Sequence, residues 1–228
     1  MPAEIPADSI ASMVVASILF PAAVWLLIAF TNKNLKISLS LGAGLGIWYG
    51  LIFFLGKRGF FGETLLSIPM IGFGFGLMFF FVRSIYKSLF FQKIFEAIPL
   101  PWVLGVQIFR VMGYGFLVFY ALGLIPGEFA IPTGVGDMIV GLTAPFVAYL
   151  YAKKHARRLA IWWNYLGIGD LALALTLGMS TYPRPFQVLT TSVSNEQIAL
   201  FPLVMVPLFA VPLSILLHLF TLRSLKKG

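Results

Sequence analysis

The chain contains no cysteine, only two histidines and only eight acidic residues among 228. Without cysteine there is no disulfide framework, no thiolate nucleophile and no thiol redox couple. His155 in a basic turn and His218 near the end of an apolar run cannot build a multi-histidine zinc site or a bis-histidine haem, so no metal and no cofactor are expected. Neither a G-x-S-x-G elbow nor a phosphate-binding P-loop occurs. Charged residues make up 11% of the chain, against roughly a quarter in soluble domains. That is too few for a water-facing surface.

What the chain has instead is apolar length. Hydrophobic residues account for 60% and the mean hydropathy is +0.96. Predominantly apolar runs long enough to cross a bilayer cover residues 9–30, 37–56, 64–82, 102–124, 132–151, 159–178 and 198–220. The expected fold is therefore all-α, a single polytopic membrane bundle of seven transmembrane helices over 1–228. Seven spans of about 20 residues leave no room for a separate extramembrane domain. The first run follows Glu4 and Asp8 where a signal peptide would carry Lys or Arg, and it is read as a retained span.

The basic residues give an orientation. Alternate connections hold Lys33, Lys36, Arg83, Lys87, Lys93, Lys153, Lys154, Arg157, Arg158, Arg223, Lys226 and Lys227, whereas the opposite set holds only Lys57, Arg58 and Arg184. Basic residues near span ends resist translocation, which predicts an outer N-terminus and a cytoplasmic C-terminus. The formal charge of +8 is then a topology signal, and nucleic acid is not an expected partner. Lipid is the expected surroundings, in a cell membrane of the bacterial inner-membrane kind. Residues 83–98 alternate Ile85, Leu89, Phe90, Phe91, Ile94 and Phe95 with Arg83, Lys87, Lys93 and Glu96. They read as a cytoplasmic interfacial helix, or as an extension of the third span.

Small residues and prolines indicate where helices approach or bend. Gly42, Gly46 and Gly50 recur every four residues and offer a close-packing face, for a neighbouring span or a second copy of the chain. Gly72, Gly74 and Gly76 lie in the third span without the strand that a nucleotide loop requires, and are read as packing. Pro202, Pro207 and Pro212 each remove a backbone donor from the last span, predicting a kink or an unwound stretch.

Few ionisable residues lie within the spans: Arg110, Asp137, Asp170 and His218, with Gln107 and Asn164 as neutral company. An intramembrane charge costs roughly 2.5–3.5 kcal/mol on insertion scales, so it is ordinarily paired or functional. His218, two residues from the run's end, is expected to snorkel to the interface. The aspartates share a local pattern, Gly134-Val135-Gly136-Asp137 and Gly167-Ile168-Gly169-Asp170, on consecutive antiparallel spans. Their distances from the connecting turn place them within about 6 Å of the same depth, so they are expected to share one site. Arg110 lies at a depth from which it reaches Asp170. Gln107, Arg110 and Tyr114 form one α-helical stripe. Two acids against one base leave a surplus negative charge unless Asp137 is protonated or holds a cation. Two bland alternatives are that Asp137 occupies the first turn of its helix, where a carboxylate suits the free N–H groups, and that the Arg110–Asp170 pair fixes helix register.

The chain's length and span number resemble the microbial rhodopsin family, which holds retinal through a lysine in its last helix. Here Lys226 and Lys227 follow that span, which excludes a retinal Schiff base. The two G-x-G-D segments are similar to the motif of the presenilin and prepilin-peptidase class, which implies an intramembrane aspartyl peptidase with Asp137 and Asp170 activating water. The Pro-Ala-Leu segment of presenilin-like members is absent. A catalytic acid pair also shares a proton, and a guanidinium beside it competes for the same oxygens. The residues themselves read as a transporter-like or ligand-binding bundle rather than an enzyme. Its site for a proton, cation or small molecule is built from Arg110, Asp137, Asp170, Gln107, Tyr114 and Asn164 between the fourth, fifth and sixth spans. The alternative is a structural or accessory membrane subunit.

Overall fold

The computed structural model describes residues 7–32, 34–62, 79–80, 82–154, 156–183 and 187–227. The expected third span, with Gly72, Gly74 and Gly76, falls almost wholly outside these residues. The described chain is helical, with no strand among the described residues. Six helices are long and apolar enough to cross a membrane.

Helices α1 (Ala7–Thr31) and α2 (Leu35–Lys57) form an antiparallel hairpin. The Asn34 side chain caps α2 by accepting from the backbone N–H groups of Lys36 and Ile37 at 3.1 and 3.3 Å. Across the hairpin the Trp25 indole donates to the Ser38 carbonyl at 2.9 Å, and Gly42 gives the indole its room. Gly46 and Gly50 meet nothing within 4 Å, so only the first glycine of the stripe is used inside the described fold.

Residues 82–87 are helical, and the chain then breaks at Ser88, whose backbone is extended. Helix α3 (Leu89–Ala97) follows as a separate element. Its amphipathic pattern is used in two directions: Ile94 and Phe95 are buried in the core, whereas Leu89 and Phe90 remain exposed. Phe95 stacks on Phe220 with ring centroids 4.1 Å apart, and Lys227 pairs with Glu96. The break separates α3 from the preceding helical turn, so it is a docked helix and not a continuous extension.

Helix α4 (Leu100–Ala121) starts after Pro99 and is not uniform. Its first turn is α-helical, Val106–Gly113 winds as a 3₁₀-helix, and Tyr114–Ala121 returns to α. The 3₁₀ stretch lies hard against helix α5 (Gly127–Lys154). A Cβ on Gly141 would stand 2.9 Å from the Arg110 carbonyl carbon, and one on Gly134 would stand 2.9 Å from the Gly113 carbonyl oxygen. The contact is therefore backbone to backbone, which only glycine permits. Helix α6 (Arg157–Thr181) returns beside α5, with the Trp163 indole donating to Thr143 at 2.8 Å.

The connection after α6 is tied down by Asn195, which donates to Thr181 at 2.7 Å with both residues buried. Helix α7 (Val206–Lys227) begins with a π-helical turn over Val206–Ala210. The last span thus starts later than the apolar run 198–220 predicts and extends further, to Lys227. Pro202 falls in the irregular lead-in and Pro207 in the first, π-helical turn, where their missing donors are least disruptive. Of the six helices α7 is the most buried and α2 the least, so α7 is the axis of the bundle and α2 a peripheral element.

Candidate functional site

Three apolar clusters surround the buried charges. One joins α1, α3 and α7 through Phe20, Val24, Phe95, Phe209 and Phe220. A second packs α4, α5 and α6 through Leu104, Val140, Ala144 and Trp163. The third closes the opposite end of α4 and α5 with Phe116, Phe119, Ile125 and Phe129. Arg110 lies between them, 2% exposed.

The guanidinium has five N–H donors and no acceptor, and four acceptors surround it. Nε donates to Oδ1 of Asp137 at 2.7 Å, and Nη2 donates to Oδ2 of Asp170. Nη1 donates to the Gly167 carbonyl at 3.2 Å and faces Nε2 of His218 at 3.3 Å. Arginine only donates, so His218 Nε2 is the acceptor and the imidazole proton sits on Nδ1. Nδ1 donates to Oδ1 of Asn164 at 2.8 Å, whose Nδ2 donates to the Ala160 carbonyl at 2.7 Å. Each proton-bearing nitrogen in this network meets an acceptor, which the low dielectric of the interior makes essential.

Above and below Arg110 on the 3₁₀ stretch lie Gln107 and Gly113. Side chains three apart eclipse in a 3₁₀-helix, and these three residues form the buried line of the segment. Gln107 accepts from the Ser214 hydroxyl at 2.7 Å and donates to the Ser214 carbonyl at 3.4 Å, fixing α4 to α7. Gly113 makes room for Asp137: a Cβ there would lie 3.2 Å from its Cγ. The G-x-G-D segments serve the same end. Gly136 accommodates Asp170, and Gly167 accommodates the His218 ring and, at 3.3 Å from a notional Cβ, Nη1 of Arg110. Gly169 faces open space and has no such role.

The structure brings together Arg110, Asp137, Asp170 and, through His218, Asn164. Gln107 adjoins them and bonds to Ser214. Tyr114 stands apart, 39% exposed, because the 3₁₀ winding puts Gly113 and not Tyr114 in line with Arg110. Asp137 is not in a first turn, since α5 begins at Gly127. The expectation that His218 snorkels is overturned. It is 1% exposed and lies well inside α7, because that helix continues to Lys227. The i, i+4 spacing of Ser214 and His218, two polar residues on one face of an apolar helix, is the signal that identifies them.

Two cavities of about 80 Å³ each meet at Asp137. One lies among α4, α5, α6 and the lead-in to α7, with Phe116, Phe129, Thr133, Leu171 and Tyr182 in its wall. The other lies toward α1, against Phe20, Phe109, Arg110 and Ser214. No cluster of His, Asp and Glu suited to a metal ion occurs among the described residues.

Residues 68–226 match the family described as "Domain of unknown function (DUF8737)", and the chain belongs to that family. The match takes in every residue of the Arg110 cluster and leaves α1 and α2 outside it. A search of curated proteins and a search of solved structures each returned no match.

Proposed function

We propose that this multi-pass membrane protein binds a small ligand, proton or cation at the Arg110–Asp137–Asp170 cluster, either to carry it across the bilayer or to respond to it. Asp137 carries this reading. It gives one carboxylate oxygen to Arg110 and lies on both cavities, so it is at once part of the buried network and open to a ligand. Residues 64–82 supply the seventh span in this proposal, and the basic residues set an outer N-terminus and a cytoplasmic C-terminus. A peptidase reading fits less well. Arg110 stands between the two carboxylates and bonds to each, whereas a proton-sharing dyad needs the acids in contact with each other.

A structural or accessory role is the second reading, and the outer face of α2 favours it. Ile47, Leu51 and Phe54 are exposed there beside the open Gly46 and Gly50, a surface suited to another span or a second copy. Native mass measurement of the protein released from nanodiscs separates the two. A small-molecule adduct retained by the wild type and absent from an Asp137→Asn variant that is still folded supports binding. Loss of stability alone, with no adduct in the wild type, supports the structural role.

A further inference from the structure

We propose that the ligand held at Asp137 is a small hydrophobic ammonium compound, its head on Asp137 and Thr133 and its body in the adjoining cavity. This deepens the binding reading and rests on it. Charge is the first argument. One guanidinium faces two carboxylates, and no described residue donates to Oδ2 of Asp137. A monovalent cation balances the cluster.

Thr133 is the second. It is 2% exposed, lines the cavity, and its hydroxyl has no hydrogen-bond partner. A threonine within a helix ordinarily bonds back to the carbonyl one turn earlier, as Thr143, Thr176 and Thr181 do at 2.6–2.8 Å. Thr133 does not, and it stands one turn from Asp137 on the same face of α5. A carboxylate and an unspent hydroxyl at this spacing offer two acceptors to one N–H-bearing head.

The wall is the third. Phe61, Phe116, Phe129 and Tyr182 line the cavity with aliphatic neighbours. Aromatic faces attract an organic cation, most strongly where water is excluded. Ca²⁺ and Mg²⁺ are disfavoured, because they require about six or more oxygen ligands. Size sets the class further: the two cavities, about 80 Å³ each and meeting at Asp137, together match the ~150 Å³ that accepts a benzene ring.

The test is calorimetric titration of the full chain in nanodiscs with benzylamine, benzyl alcohol and benzoate, which share one body and differ in head charge. Benzylammonium is expected to bind saturably, benzyl alcohol at least about tenfold more weakly, and benzoate not at all. Asp137→Asn abolishes the preference for the ammonium. Because that variant also strips a partner from Arg110, Thr133→Val provides the independent check. It removes only an unpaired hydroxyl and should weaken benzylammonium by about three- to tenfold at unchanged melting temperature. Ala174→Leu fills the cavity and should eliminate binding of every probe. Equal affinity for the alcohol and the ammonium, or indifference to Thr133→Val, overturns the ammonium class and leaves cavity binding standing. No saturable binding of any probe overturns the ammonium proposal; the binding reading falls only if the wild type also carries no native adduct.

Discussion

Gly136 on α5 and the Asp170 carboxylate on α6 occupy adjoining space so closely that a Cβ at 136 would overlap Oδ1 and lie 2.7 Å from Cγ. The carboxylate is also the partner of Arg110 Nη2, so any displacement is transmitted to the guanidinium. Gly136→Ala is therefore expected to destabilise by about 1–3 kcal/mol, the usual cost of overpacking. Gly169→Ala, at the equivalent place in the other G-x-G-D segment, meets nothing within 4 Å. It should be neutral or stabilising by up to about 1 kcal/mol, since alanine is the better helix former. Melting temperatures of the two variants in one detergent decide this, and equal losses at both positions would refute it.

The ion cluster should behave as a unit. Arg110→Met alone leaves two carboxylates in the buried site without their cationic partner, and breaking such an arrangement typically costs about 3–5 kcal/mol. Replacing all three charges, with Arg110→Met, Asp137→Asn and Asp170→Asn together, should recover most of that loss while removing ligand binding. If the triple variant is no more stable than Arg110→Met, the desolvation argument is wrong. The readout is chemical unfolding alongside the titrations.

Asn164 orients His218 through a 2.8 Å bond to Nδ1. Asn164→Leu leaves that N–H without an acceptor and should cost about 1–3 kcal/mol. Adding His218→Phe removes the orphaned donor and should return part of the stability, while releasing one contact of Arg110 Nη1. A double variant that simply sums the two single losses would contradict this coupling.

Glu96 lies outside the spans, and its hydrogen bond to Lys227 holds its carboxyl below the usual value of 4.5. A lowered folded value means that the contribution is fully present above the ordinary glutamate range and fades as pH falls through the lowered value. Both side chains are exposed, so the effect is small and screened by salt. Hydrogen exchange in α3 should therefore rise on acidification, and Glu96→Gln should remove that rise. Exchange that depends on pH equally in both proteins, after correction for intrinsic rates, would locate the effect elsewhere.

Apolar run length was enough to locate six long helices to within a few residues at most ends, because each is long and apolar enough to cross a bilayer. Depth counting from the turn after α5 also brought Asp137, Asp170 and Arg110 together. Two features escaped it for identifiable reasons. Counting at 3.6 residues per turn put Tyr114 in line with Arg110, whereas the close glycine contacts with α5 accompany a 3₁₀ winding that selects Gly113. His218 was assigned too near the surface because the apolar run ends before the helix does, and its last turns are amphipathic, with Thr221, Leu222 and Leu225 buried beside the exposed Lys226 and Lys227.

The 3₁₀ stretch also affects span length. A 3₁₀-helix advances about 2.0 Å per residue against 1.5 Å for an α-helix, so winding Val106–Gly113 this way lengthens α4 by about 4 Å. Its 22 residues then reach about as far as the 25 of α6. A shorter sequence thus reaches the same length as its neighbour, and a deletion within Val106–Gly113 would shorten the helix by about a third more per residue than a deletion elsewhere in α4.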